Sequence, residues 1–133
     1  MSIRTLADDK KAQADIHDWA IEAVLPELIN AIYHHADRLA HDYETTHELA
    51  TLHLAKHLEI ATKALTQWQA GEARATGATH QDLADAGRYA SSGAVKRVWP
   101  HLDTIAEARK TANQTRKPQH VEIDEYTITL NPQ

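Results

Sequence analysis

Apolar residues recur at helical spacing along two long stretches of the chain. Leu25, Ile29, Ile32, Ala36, Leu39 and Tyr43 follow one another at intervals of 4, 3, 4, 3 and 4 residues. That is the two-in-seven seam of helices packed along their length. Leu28 and Tyr33 widen it. Leu54, Leu58, Ala61, Leu65 and Trp68 repeat the pattern, with Leu49, Leu52 and Ile60 as a second strip. Thr45 and Thr46, just before His47 and Glu48, offer an N-cap for this second helix. Gly71 predicts its C-cap. Upstream, Ile16, Trp19, Ala20, Ala23 and Val24 keep helical spacing as far as Pro26. Proline lacks an N–H and clashes with the preceding turn, so a kink or short break is expected at Val24–Pro26. Residues 1–7 carry no clear signal. Residues 1–70 together predict a long helical hairpin, which can serve as a dimerisation region.

The stretch Thr79–Trp99 predicts two short helices joined by a tight turn. Thr79 is a good N-cap for the first, and Asp82, three residues on, can reach back as the acid of a capping box. Gly87 is expected to take positive φ and stop that helix. Ser91 or Ser92 then caps a second helix, SGAVKRVW, which Pro100 ends by disfavouring helical geometry at Trp99. Pro100 can open a third helix carrying Leu102, Ile105, Ala106 and Arg109 at helical spacing. Beyond Pro118, the segment 121–130 alternates apolar and polar residues and predicts a β-strand, with a slip or bulge at Asp124-Glu125. A single strand needs an edge to pair with, and the same strand of a second chain is the expected partner. The pattern as a whole predicts a mainly α protein. Its parts are the long hairpin (1–70), a compact helix-turn-helix three-helix unit (71–117) and a short C-terminal strand or arm (118–133).

Composition narrows the chemistry. The chain has 133 residues, 42% hydrophobic and 25% charged, which suits an ordinary globular protein. It has no cysteine, so disulfides, thiolate metal sites and cysteine nucleophiles are excluded. No apolar run reaches the roughly 20 residues of a membrane-spanning helix. No signal-peptide core is expected at the N-terminus, so the expected location is cytoplasmic. The net charge of −5 is unevenly spread. Residues 1–70 and 121–133 carry −5 and −3, whereas residues 71–120 carry 8 Lys+Arg against 5 Asp+Glu, or +3. Local cations are what displace counterions from phosphates, so the positive segment is the one to weigh for nucleic-acid binding.

Two helices joined by a short turn form the pattern in which the second helix enters the DNA major groove. Thr79–Trp99 resembles the helix-turn-helix DNA-binding domains of bacterial transcriptional regulators. Leu83 and Ala84 match the apolar and small residues of the family's first helix. The family's glycine, four residues after that alanine, is Arg88 here, with Gly87 one place earlier. Tyr89 stands at the family's aliphatic position and Ala90 at its polar cap. The resemblance implies that Ala94, Val95 and Val98 are the buried side of the recognition helix. It implies DNA contacts from Lys96 and Arg97, from Ser91 and Ser92 as cap and phosphate or base ligands, and from Arg88 and Tyr89 in the turn. His80 and Gln81, at the start of the first helix, complete the set. The function expected is sequence-specific binding of double-stranded DNA by a homodimeric, repressor-like regulator, with no catalytic role, cofactor, metal or membrane.

Two other readings compete. The acidic hairpin can be the working surface of a protein–protein interaction module, an adaptor or inhibitor. Alternatively, the ten histidines include His34 and His41, seven apart, and His53 and His57, four apart, each pair on one helical face. A bundle bringing these together could ligate zinc or iron. The Glu-x-x-His spacing of bundle iron sites occurs only at Glu44–His47, which makes exposed or rim histidines the more economical account. No phosphate-binding glycine loop and no nucleophile elbow is present.

Overall fold

A computed structural model describes residues 6–133; residues 1–5, part of the stretch without an expected element, lie outside the described residues. The chain is mainly helical, with a short two-stranded antiparallel sheet at its C-terminal end. It divides into two compact units, residues 6–61 and residues 62–133.

In the first unit, α1 (Lys10–Asp18) starts at Asp9, whose carboxylate accepts a hydrogen bond from the Ala12 amide at 3.0 Å. It runs into a π-helical turn (Trp19–Val24) and then α2 (Leu25–Asp42) without leaving helical geometry. The break expected at Val24–Pro26 is therefore a widening. Pro26 cannot donate to the carbonyl four residues back, and its ring needs room there. In the wider turn donors reach back five residues, as Leu25 N–H does to the Ala20 carbonyl, which accommodates the proline. Glu44, at φ 52°, turns the chain, and Thr46 Oγ1 accepts from the Leu49 amide to start α3 (His47–Ala75). His47 reaches back across this turn. Its Nδ1 lies 2.6 Å from Asp37 Oδ1, and its ring packs at 5.2 Å from that of Tyr33. Among the described residues of this unit only Ala36 and Ala50 are buried. Tyr43, expected in the seam, is 75% exposed.

In the second unit, α3 continues past Gly71, where a C-cap was expected, to Ala75. Gly71 is needed for a different reason. A Cβ there would lie 2.4 Å from Ile105 Cγ2, so the missing side chain lets α6 (Leu102–Thr115) approach α3 closely. The chain turns at Gly77, φ 104°, into α4 (His80–Gly87). A 3-10 turn (Ser92–Ala94) and the single turn of α5 (Val95–Val98) follow. Trp99 then leaves the helical region at φ −118°, ψ 75°, ahead of Pro100. The amide of His101, beyond that break, is satisfied by the buried side chain of Gln67 at 2.8 Å.

The tail corrects an expectation. It forms two strands, β1 (Gln119–Ile123) and β2 (Tyr126–Leu130), paired antiparallel with Val121 opposite Ile128. The slip foreseen at Asp124-Glu125 is a two-residue hairpin turn, in which Asp124 takes φ 53°. The strand thus finds its partner within the chain, and the need for a strand from a second chain disappears.

Two apolar clusters hold this unit. Ala70, Ala78, Leu83, Ala84, Val95, Trp99 and Leu102 form one; Ala64, Ile105 and the inward face of the hairpin form the other. Arg109 joins the elements around the second cluster. It is 7% exposed. Its Nε and Nη2 donate to the two carboxylate oxygens of Glu72 at 2.9 and 2.8 Å, and its Nη1 donates to the Asn131 carbonyl. The bond to Glu72, and then that carboxylate's charge, raise the Arg109 pKa despite burial. Its guanidinium is thereby engaged inside the fold.

Candidate nucleic-acid interface

The segment Thr79–Trp99 is assembled from local signals. The capping box is complete: Thr79 Oγ1 accepts from the Asp82 amide at 3.1 Å, and Asp82 Oδ2 accepts from the Thr79 amide at 2.9 Å. Leu83 and Ala84 face inward, Ala84 with no exposed surface. Helix α4 ends at Arg88, in the left-handed region at φ 59°, ψ 39°. Gly87, expected to take that conformation, does not. A Cβ on Gly87 would meet the Tyr89 ring at 2.5 Å and Trp99 at 2.9 Å, so its role is steric. The left-handed residue falls four places after Ala84, where the helix-turn-helix pattern has its glycine.

The second helix is short, a 3-10 turn followed by one α turn. Ala94 and Val95 are buried beneath it, but Val98, expected inside, is 37% exposed, and Trp99 fills the interior instead. Ser91 occupies the N-cap position, and its carbonyl accepts from the Ala94 amide. Its hydroxyl makes no capping bond, which corrects the expected side-chain cap. Ser92 is half-buried.

Arg88, Lys96 and Arg97 are exposed, and so is Gln81, whose amide donates to Asp85 Oδ1 at 2.8 Å. Tyr89 is half-buried, its ring edge-on to Trp99 at 5.3 Å. His80 is half-buried as well, and its Nε2 is buried without a hydrogen-bond partner. Sequence reasoning overlooked Asp103. Its carboxylate lies 3.5 Å from Lys96 Nζ, with both side chains more than 60% exposed. The two are seven residues apart on either side of Pro100, so no helical spacing signals the pair. Such an exposed pair contributes ~0–1 kcal/mol, which phosphate can displace.

Not every cation of the positive segment is available. Arg109 is buried against Glu72, and Arg74 Nη1 donates to the Ala78 carbonyl. The tip of the β-hairpin carries Glu122, Asp124 and Glu125, all exposed, and would repel a phosphate backbone.

The histidines do not converge. Among the described residues no three His, Asp or Glu side chains are grouped as a metal ion would need. His34 packs against its neighbour His35, and His41 lies beside Asp42. Nor is any described helix long and apolar enough to cross a membrane. No family model, curated protein or solved structure matches the chain. The helix-turn-helix resemblance therefore rests on these residues alone.

Proposed function

We propose that the chain is a sequence-specific double-stranded-DNA-binding protein, a homodimeric repressor-like regulator that reads the major groove with Ser92–Val98. The observation that carries the reading is the unit from Thr79 to Trp99. A capped first helix, a buried small Ala84 and a left-handed residue four places later support a short second helix whose outer side presents Lys96 and Arg97. Arg88 lies in the turn beside the DNA backbone, and the free Ser91 hydroxyl adds a neutral donor. Residues 6–70 act as a helical hairpin platform. A dimer then places two such helices in successive major grooves, about 34 Å apart, on a pseudo-palindromic site.

A salt titration of binding to random-sequence duplex DNA tests this, with wild type beside Lys96→Ala/Arg97→Ala. Wild type is expected to bind in the micromolar range, with affinity falling steeply with salt. Removing two phosphate-neutralising groups should lower the log–log salt slope by about 2. A folded protein that binds no duplex at low salt would overturn the reading. It would favour a helical interaction module working through its acidic N-terminal helices, a second reading supported by the large apolar side chains exposed along residues 16–52.

A further inference from the structure

Among the described residues, the exposed ion pairs Lys11–Asp15, Arg38–Asp42, Lys56–Glu59 and Lys110–Glu107 each lie on one helix, three or four residues apart. Helical geometry alone brings such partners together. Lys96 and Asp103 are different. They belong to α5 and α6, with Pro100 between them. Their approach is set by the corner that joins the two helices, and that corner is held firmly. The Leu102 amide donates to the Trp99 carbonyl at 3.1 Å, the Ile105 amide to the His101 carbonyl at 2.9 Å, and the His101 amide to the side chain of buried Gln67. Trp99 and Leu102, on either side of Pro100, are both buried in the first apolar cluster. The backbone carrying Asp103 is therefore fixed beside Lys96. Arg97, the next residue, is exposed and has no ion pair or hydrogen bond among the described residues. The two cations on the outer side of the short helix are thus unequal: Arg97 is free to meet a phosphate, while Lys96 already stands beside an anion.

We propose that Asp103 is an internal competitor of phosphate, which restrains Lys96 and lowers the affinity of the chain for non-specific duplex DNA. The inference rests on the DNA-binding reading above and deepens it. A carboxylate oxygen 3.5 Å from the ammonium takes a place that a phosphate oxygen would otherwise take. Its charge also repels a phosphate arriving on the open side of the lysine. Binding must therefore exchange one anion for the other or hold both. Because the pair is exposed, the exchange is possible and its penalty is small, about twofold to fivefold in affinity. A small penalty of this kind serves a protein that must leave random sequence to find its site, since discrimination is the ratio of specific to non-specific affinity.

The test is binding of the full chain to random-sequence duplex DNA at one low salt concentration. Asp103→Asn is expected to bind about twofold to fivefold more tightly than wild type. Glu107→Gln makes the same change of charge one turn further along α6 and frees Lys110 instead; it should change binding less. Lys96→Ala should weaken the wild-type chain less than Arg97→Ala does. With Asp103→Asn present, the cost of Lys96→Ala should rise. Each cost is a ratio within one background, so a loss of stability caused by Asp103→Asn itself cancels. An Asp103→Asn chain that binds no more tightly than wild type overturns the proposal and leaves the DNA reading standing. So does an equal gain from Glu107→Gln, or a Lys96→Ala cost that is the same in both backgrounds. A wild-type chain that binds no duplex overturns the DNA reading, and this inference with it.

Discussion

Residues 62–133 bury their large apolar side chains: Val95, Leu102, Ile105, Ile123 and Leu130 are each under 2% exposed. In residues 6–61 the buried positions are two alanines, while Trp19, Val24 and Leu52 are each more than half exposed. The difference lies in the elements available. The second unit sets helices and a hairpin against one another in several directions, so each element's apolar face meets another. The first has only the helices on either side of the turn at residues 43–46, and every residue from 16 to 31 is exposed.

The contrast can be broken most forcefully at Arg109. Replacing it with alanine leaves the half-buried Glu72 carboxylate without the partner that holds both of its oxygens. Urea denaturation should show a loss of about 3–5 kcal/mol, the usual result of removing one partner of a buried ion pair. Leu52→Ala, on the exposed side of the other unit, should change stability by no more than about 0.5 kcal/mol. The double replacement Glu72→Leu/Arg109→Met should recover much of the loss, since an apolar pair of similar volume is often as stable as a buried ion pair. If Arg109→Ala and Leu52→Ala prove equally mild, the two units do not differ in the way their burial indicates.

A finer test uses glycines. Gly71→Ala places a methyl against Ile105 Cγ2 and Cβ, atoms close to the α6 backbone that cannot swing aside. Overpacking of this kind costs about 1–3 kcal/mol, more than alanine's gain in helix propensity of up to ~1 kcal/mol. Gly93→Ala would meet nothing closer than Ser91 Oγ at 3.8 Å and should be close to neutral. Thermal melts of the two variants give the comparison directly.

These glycines also show where sequence reasoning stopped. Periodicity found the helices because it reports which residues share a face. The capping box at Thr79 and Asp82 was legible because its partners are three residues apart. Gly71 and Gly87 were misread as helix stops, since a glycine required by close packing looks the same in sequence as one required by its φ. The hairpin was missed because two short strands joined by Asp124-Glu125 give the same alternation as one strand with a slip. At the candidate interface, Lys96 and Arg97 are exposed, as the resemblance implies. Their neighbour Asp103 was hidden by the break at Pro100, and the burial of Arg109 by a partner 37 residues away.

The smallest expected effect lies at the turn, where stability and DNA binding should move in opposite directions. Arg88 holds a left-handed conformation that disfavours any residue with a Cβ by about 1–2 kcal/mol. Glycine removes that penalty but loses more entropy on folding, so Arg88→Gly should stabilise the chain by a net ~0.5–1 kcal/mol. The same change deletes one exposed cation, so the salt slope of DNA binding should fall by about 1. Higher stability with an unchanged slope would leave the turn as described and remove Arg88 from the DNA face. Lower stability would mean that the arginine side chain makes a contact worth more than the backbone penalty it carries, and the steric reading of Gly87 would have to be revised with it.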